Sequence, residues 1–236
     1  MRKFCCLKIF LLSACLALCL PFAATAAQQI GLVLAVRGKV YAQLGAEKER
    51  VLQRRSPVFL KDKIISQKDG FAQIRLNDDS LLSIQPDTIF SVETFHFDPK
   101  KIKDSAYVGK LVKGALINLS GKGNPDNYKL QGPLSIIAFR GTGVNFRVKG
   151  KQEQVGIFSG SIDVRSANSS KRLTYTTQHY KQVVVSADGA IKSAEGSLLF
   201  PVTVPAGTML VESDKSAKLV QIIDDLVKQL PVRKKP

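Results

Sequence analysis

Alternation of apolar and polar residues with a period of two is the feature that most constrains the fold of this chain. It extends from Gln29 to about Lys192 and is clear in the segment Val144–Lys149. This period places successive side chains on opposite faces of a β-strand. Glycine-containing turns interrupt it at short intervals, and no long helical pattern occurs in this region. We therefore predict an all-β fold of short antiparallel strands, built as a sandwich or as a flattened, solenoid-like coil.

One hairpin can be assigned directly from the sequence. Apolar residues alternate in Ala72–Leu76 and again in Leu82–Gln85, and the connecting segment Asn77–Ser80 is rich in turn-forming residues. This arrangement is typical of two antiparallel strands joined by a tight turn. The polar segments 97–104 and 120–127 contain proline or glycine and are predicted to be loops.

The first 26 residues have the composition of a secretory signal peptide. Three basic residues flank the start of an apolar run over residues 9–20, which is followed by the small-residue sequence Ala24-Thr25-Ala26. The apolar run is shorter than the roughly 20 residues that span a bilayer. We predict cleavage near Ala26 and a periplasmic mature protein. In the alternative, the lipobox-like sequence ending at Cys15 would lead to lipoprotein processing and a lipid anchor on that cysteine.

Cysteine content and net charge limit the possible reactions and partners of this chain. All four cysteines lie inside the predicted leader, so the mature chain would have no thiol, no disulfide and no cysteine-based metal site. The whole chain has a formal net charge of +16, and removal of Arg2, Lys3 and Lys8 with the leader leaves +13. In an exported protein this charge favours an acidic envelope protein, an anionic glycan or lipid headgroups as partner, and not nucleic acid. The alternative is that the basic residues are scattered over solvated strand faces.

The residues after Gly196 differ in character from the β region. Prolines interrupt the sequence at first, and from about Ser213 the apolar residues recur at intervals of three and four. We predict one amphipathic helix of about 16 residues, with an apolar stripe formed by Leu219, Ile222, Ile223, Leu226 and Leu230. It would dock on its own domain, bind a partner or contact a membrane surface peripherally. The predicted organisation is a signal peptide (1–26), a β domain (27–196) and an extended segment with this helix (197–236).

Three stretches of the β region, taken in order, resemble a known family. Val36–Val40 contains a Gly-x-Val strand opening, and Lys61–Ser66 followed by Phe71–Pro86 has the form of a Gly-Asp-x-Ile strand and an Asp-Gly-Ser hairpin. Ile137–Phe146 contains Arg-Gly-Thr, and Val155–Val164 is a strand pair punctuated by glycine. With these stretches, roughly residues 30–195 resemble the FecR domain family, which consists of exported all-β modules of bacterial envelopes.

The resemblance implies that the matching residues are mainly structural: Gly38, Asp62, Asp79, Ser80, Pro86, Arg140, Gly141, Thr142, Phe146 and Gly160. Asp79 and Ser80 stand in the Asp-Gly-Ser element, with Asp78 in place of its glycine, and Lys61 stands where the family tends to have glycine. The regulators that gave the family its name resemble this module joined to a transmembrane helix and a cytoplasmic sigma-binding region. The present sequence shows neither addition, so sigma-factor control is not carried over.

No catalytic or metal-binding pattern is present in the sequence. His96 and His179 are not accompanied by a G-x-S-x-G nucleophile element, and no H-E-x-x-H or EF-hand spacing occurs. We therefore expect no catalytic residue, no metal and no cofactor. Arg140 could hold a carboxylate or phosphate in a bidentate fork. We prefer a structural tie to a neighbouring strand, which predicts that Arg140→Ala lowers the melting temperature substantially.

These features predict a non-enzymatic module of the periplasm or envelope that binds a protein or glycan partner, as a scaffold or a sensor. The first alternative is a cell-surface signalling regulator related to FecR-type anti-sigma proteins. The remaining alternative is an envelope hydrolase that uses one of the two histidines.

Overall fold

One connected, open sheet accounts for the strands of the computed structural model, which describes residues 27–169, 172–177 and 181–194. Two short 3₁₀ helices, Ile102–Asp104 and Pro125–Asn127, lie in loops between strands. The strands of the described part are β1 (Gln29–Arg37), β2 (Val40–Leu44), β3 (Arg50–Val51), β4 (Pro57–Phe59), β5 (Asp62–Ser66), β6 (Phe71–Leu76), β7 (Leu81–Ile84), β8 (Ile89–His96), β9 (Ala106–Leu119), β10 (Tyr128–Gln131), β11 (Ser135–Lys149), β12 (Gln152–Ser166), β13 (Arg172–Thr177), β14 (Lys181–Ser186) and β15 (Ile191–Ala194).

Three long strands, β9, β11 and β12, pass through a bend in this sheet. The N-terminal part of β9 pairs with β8 and β10, whereas its C-terminal part pairs with β7 and β11. The change occurs at Gly114, whose φ of 88° suits glycine, and a Cβ at this position would lie only 2.3 Å from Thr88 Oγ1. β11 and β12 change partners near the point where Gly141 lies opposite Gly160.

The bend divides the sheet into two halves. The first half contains β2, β3, β5, β8, β10 and β13, and the second half contains β1, β4, β6, β7, β14 and β15. The strands β9, β11 and β12 contribute one part to each half. Because each of these strands serves both halves, the chain forms two layers without interrupting the hydrogen-bonded ladder.

The two halves face each other across one apolar core. Tyr107 Oη donates a hydrogen bond of 3.0 Å to Asn118 Oδ1, although both residues belong to β9 and are 11 positions apart. In a straight strand this separation would be about 36 Å, so β9 must turn back towards itself. Phe90 from the first half and Phe146 from the second are fully buried in the same cluster of core residues.

The prediction of an all-β fold is confirmed for the described residues, and the predicted hairpin is confirmed by the antiparallel pairing of β6 with β7. Two details were wrong. β10 pairs in parallel with β9, so the strands are not all antiparallel. The strands β9, β11 and β12 contain 14 or 15 residues and are not short, because they pass through the bend. The predicted signal peptide, the predicted C-terminal helix and His179 lie outside the described residues.

Candidate partner-binding face

The outward side of the first half carries a row of residues that crosses six strands. Strand pairing aligns these residues side by side from β5 through β8, β9, β10 and β11 to β12. Neighbouring strands lie about 4.8 Å apart, so the row is about 24 Å long. It consists of three basic and three uncharged residues, namely Lys63, Ser91, Lys110, Gln131, Ile136 and Arg165.

Two further basic residues lie in adjacent rows of the same surface. Lys129 is paired with Ala138, which is two positions from Ile136 on β11, and Arg140 follows after another two positions. Residues two apart on a strand share a face. The surface formed by Lys63, Lys110, Lys129, Arg140 and Arg165 is termed the basic face. All five side chains are exposed.

The positive charge of the basic face is only partly compensated. Arg140 Nε pairs with Asp126 Oδ1 at 2.8 Å, whereas the other four basic residues form no ion pair within the described part of the chain. Two half-buried carboxylates, Glu93 and Asp163, lie on the same side of the sheet. The surface therefore has five basic and three acidic side chains. Its excess of positive charge attracts anionic groups.

Exposed apolar side chains lie on the same surface as the basic ones. Val51, Val112 and Ile136 are 60%, 47% and 37% exposed. Strand pairing places Val51 and Ile136 on this side, and Val112 lines the same shallow groove as Lys110. Single exposed apolar residues are ordinary on protein surfaces. Their combination with basic residues on one sheet face gives a surface that can contact a protein through both charge and apolar burial.

Arg140 is not the strong structural tie that the sequence suggested. Its partner Asp126 lies in the second 3₁₀ helix, and the two side chains are 68% and 61% exposed. Water screens such a pair, so its contribution to stability is at most about 1 kcal/mol. The structure therefore corrects the predicted tie to a neighbouring strand, and the exposed pair predicts a smaller effect on the melting temperature than the sequence suggested.

Arg140→Ala is expected to lower the free energy of unfolding by less than about 1 kcal/mol. Chemical denaturation of the mature protein would measure this, with Asp126→Ala and the double variant in parallel. The coupling between the two substitutions should be equally small. A loss of more than about 2 kcal/mol would contradict the exposed geometry and restore a structural role for Arg140.

Asp62 has a structural role in the turn that joins β4 to β5. It is buried at the start of β5, and its Oδ2 accepts a hydrogen bond of 2.7 Å from Phe59 N. The same oxygen pairs with Arg50, whose guanidinium lies 5.0 Å from the centre of the Phe59 ring. Lys61 has a φ of 67°, so it adopts the left-handed conformation at the position where the family tends to have glycine.

The turn between β6 and β7 corrects the assignment of the Asp-Gly-Ser element. Asp79 has a φ of 65° and therefore occupies the glycine position. Asp78 is the buried aspartate of the element, because its Oδ1 accepts a hydrogen bond of 2.9 Å from Ser80 N and its Oδ2 accepts one of 2.7 Å from Ser80 Oγ. The assignment of Asp78 to the glycine position was wrong by one residue. Asp79 instead forms a surface ion pair of 2.7 Å with Lys122.

Asp78 also connects the two halves of the sheet. Tyr128 of β10 donates a hydrogen bond to Asp78 Oδ2, and Gly121 N donates one of 2.8 Å to Ser80 Oγ. The main chain is held as well, since Lys122 N lies 2.7 Å from Asp78 O. Burial first, and then the hydrogen bond to Asp78, raise the pKa of Tyr128, so its phenol stays protonated and remains a donor.

Glu153 makes a second buried connection between the halves. It lies in the part of β12 that pairs with β14, and its Oε1 accepts a hydrogen bond of 2.6 Å from Leu134 N. Ser135, at the start of β11 in the first half, donates a hydrogen bond to Oε2. Burial raises the pKa of Glu153, and these hydrogen bonds oppose the rise.

The other family-motif residues occupy separate positions in the fold. They lie in the turn after β1 (Gly38), after β7 (Pro86), in the bend of β11 and β12 (Gly141, Thr142 and Gly160) and in the core (Phe146). Asp62 and Ser80 lie in two further turns. No hydrogen bond or ion pair in the described part of the chain joins these positions into one site.

The described residues contain no cluster of three or more His, Cys, Asp or Glu that could hold a metal ion. His96 is exposed at the end of β8. Among the same residues, no helix has the length and apolar character needed to cross a membrane.

The basic face and the buried contacts of Asp78 and Glu153 were not predicted from the sequence. The alternating pattern already places Lys63 and Lys110 opposite to apolar neighbours, and this was the available signal. It does not show which strands are adjacent. Glu153 carried no signal, because a glutamate in an alternating strand is normally exposed.

The fold and surface define an all-β module with an exposed basic face. The family model described as "FecR protein" matches residues 62–163, from the start of β5 into β12. This match confirms the resemblance inferred from the motifs for that part of the chain. The stretch Val36–Val40, which also contributed to the resemblance, lies outside the matched residues.

Among solved structures, this chain is similar to two crystal structures, at 1.65 and 2.50 Å resolution, of a proposed anti-sigma factor from Parabacteroides distasonis ATCC 8503. The sequence identities are 14% and 15%, and the TM-scores are 0.41 and 0.42. Each alignment covers 55% of this chain and 57% of the other, so this chain spans little more than half the length of those proteins. No curated relative matches the sequence.

Proposed function

We propose that this chain is a non-enzymatic signalling regulator of the FecR type, which acts by binding a protein partner through the basic face. The observation that carries the proposal is the family match, because residues 62–163 contain Lys63, Lys110, Lys129 and Arg140 of that face. FecR proteins are regulators and not enzymes. The match therefore supports signalling better than a scaffold role alone.

The composition of the face supports a protein as the partner. A purely anionic glycan would contact only the basic residues. Val51, Val112 and Ile136 are exposed, and their burial against apolar groups of a protein partner would add to the free energy of binding. The complementary surface is an acidic protein patch with apolar residues inside it. With the predicted signal peptide removed, the partner would be a protein of the cell envelope.

The double variant Lys110→Glu/Lys129→Glu is expected to lose this partner. The experiment is a cross-linked pull-down from intact envelopes, followed by identification of the captured protein and by measurement of the transcriptional response that depends on this chain. Reversal of two charges in the centre of the face should reduce capture at least tenfold and abolish the response, because like charges across an interface are strongly unfavourable. Raised salt should weaken capture by the unaltered protein.

The matched control is Lys151→Glu/Lys192→Glu, which changes the net charge equally at exposed positions of the second half. It should leave both capture and response unchanged. Equal loss in the two double variants would show that total charge, and not the basic face, is responsible. Retention on purified anionic glycan, with no captured protein, would support the glycan-binding alternative. Capture without any transcriptional response would support a scaffold.

A further inference from the structure

The side of the second half that points away from the core is buried, and its large side chains are apolar, with the polar residues Gln73, Ser83 and Asn145 among them. Every residue of β7 and all but Arg75 of β6 are buried, although successive residues of a strand point to opposite sides. Strand pairing aligns the outward set across β1, β6, β7, β9, β11 and β12. The largest members of this outer apolar face, none of which belongs to the main core, are Phe71, Leu81, Ile117, Leu119 and Phe158.

These side chains pack beside one another. Leu81 is paired with Leu119, and Leu119 with Gly143. A Cβ at Gly143 would lie 2.4 Å from Leu119 Cδ2 and 3.2 Å from Phe158 Cδ2, so both side chains meet above this glycine. Leu119 and Phe158 are nevertheless only 6% and 3% exposed, and Ile117 is not exposed at all. Lateral packing within one sheet face does not bury side chains this fully, so a further layer must cover them.

The described strands supply no such layer, because all of them belong to the sheet that surrounds the main core. These exposures are those of the chain by itself, so the cover must come from elsewhere in the same chain. The chain leaves the described region at Ala194, at the end of β15. β15 pairs with β14, which pairs with β12, so this exit lies at the edge of the same half.

We propose that the outer apolar face is the docking site of the C-terminal segment, residues 195–236, which contacts it through Leu219, Ile222, Ile223, Leu226 and Leu230. The length of the predicted helix agrees with the width of this face. A helix of about 16 residues is about 24 Å long, and six adjacent strands span about 24 Å. The residues between Ala194 and the stripe, at up to about 3.3 Å each, are numerous enough to reach across the sheet.

The distribution of charge agrees with the same occupant. Arg75 and Arg147 lie on the outward side of the second half, because Arg75 is paired with Leu81 and Arg147 with Ala115. The C-terminal segment carries Asp224 and Asp225 beside its apolar stripe. A helix lying on the face could place these carboxylates near the arginines at its rim. The proposal is independent of the partner of the basic face, which lies on the other half.

The first test places a photo-cross-linking amino acid at Arg75, and separately at Gln154, in the full chain produced in its own envelope. Both positions are half-buried on the outward side of the second half. Peptide mapping should find cross-links to residues 195–236 of the same molecule, which mixed isotopic labelling would distinguish from a second copy. The same probe at Lys110 on the basic face should not capture this segment. Cross-links to the leader, to a second copy or to lipid, or none from either position, would overturn the proposal.

The second test uses hydrogen–deuterium exchange of the full chain. Ile222→Asp/Leu226→Asp should increase exchange of the β7 and C-terminal β9 amides about tenfold, because a layer over them is lost. Lys228→Asp, which lies outside the apolar stripe, should leave exchange unchanged. Equal protection in the wild type and the double variant would show that the stripe does not cover this face.

Discussion

Replacement of Asp78 by alanine is expected to lower the free energy of unfolding by about 4 kcal/mol, which is a large share of the stability of a typical domain. The carboxylate is fully buried and accepts hydrogen bonds from Ser80 N, Ser80 Oγ and Tyr128 Oη. Alanine leaves all three donors without an acceptor in a site that water does not reach. The measurement is the midpoint of urea unfolding of the mature protein at neutral pH, with the denaturant slope unchanged.

Two companion variants make this prediction specific. Asp79→Asn, at the half-buried neighbouring position, should change the free energy of unfolding by less than about 1 kcal/mol, because asparagine tolerates the left-handed backbone and the ion pair with Lys122 is exposed to solvent. Tyr128→Phe should lower the free energy of unfolding of the wild type by about 2 kcal/mol. It should have little effect when Asp78 is already alanine, because both substitutions remove the same hydrogen bond. Additive effects in the double variant would show that the two residues do not act together.

Glu153→Ala is expected to lower the free energy of unfolding by about 3 kcal/mol. It removes the acceptor for Leu134 N and for the hydroxyl of Ser135, and it leaves a cavity between the two halves. Urea unfolding at neutral pH would measure the loss. Glu47→Ala, at an exposed position, is the control and should have almost no effect.

Glu153→Gln separates the charge of this residue from its hydrogen bonds. Because burial raises the pKa of Glu153 in the folded protein, its contribution to stability is fully present below the unfolded value of about 4.5 and is lost as the pH rises through the folded value. Glutamine cannot ionise, so the stability of the variant relative to the wild type should increase as the pH rises above about 4.5. Glu47→Gln should follow the wild-type curve, and a relative stability of Glu153→Gln that falls with pH would contradict the assignment.

The buried polar contacts explain how the basic face is held in place. Tyr128 and Ser135 belong to β10 and β11, two of the strands that form that face, and their partners Asp78 and Glu153 belong to the second half. Loss of either contact would therefore change the packing of the two halves against each other. We expect destabilised variants at these positions to weaken partner binding only through the fold.

The family-motif residues illustrate how far local sequence can be interpreted. The Asp-Gly-Ser element was found correctly as a turn between two strands, because turn chemistry depends on neighbouring residues. Its register was assigned one residue away from the structure, since Asp78 and Asp79 are chemically identical and only the φ of Asp79 separates them. Arg140 was expected to form a structural tie to a neighbouring strand, and its exposure could be known only from its position on the outward side of β11.

The sequence by itself determined that the chain forms strands, where several turns lie and which family its central region resembles, because these properties depend on the period of two and on local turn chemistry. Only the tertiary structure decided which strands are neighbours, that β9, β11 and β12 bend and belong to both halves, and that the outward side is basic and exposed on one half and buried on the other. The physical reason is that strand pairing joins residues far apart in the chain, so the order of strands cannot be obtained from alternation within any one of them.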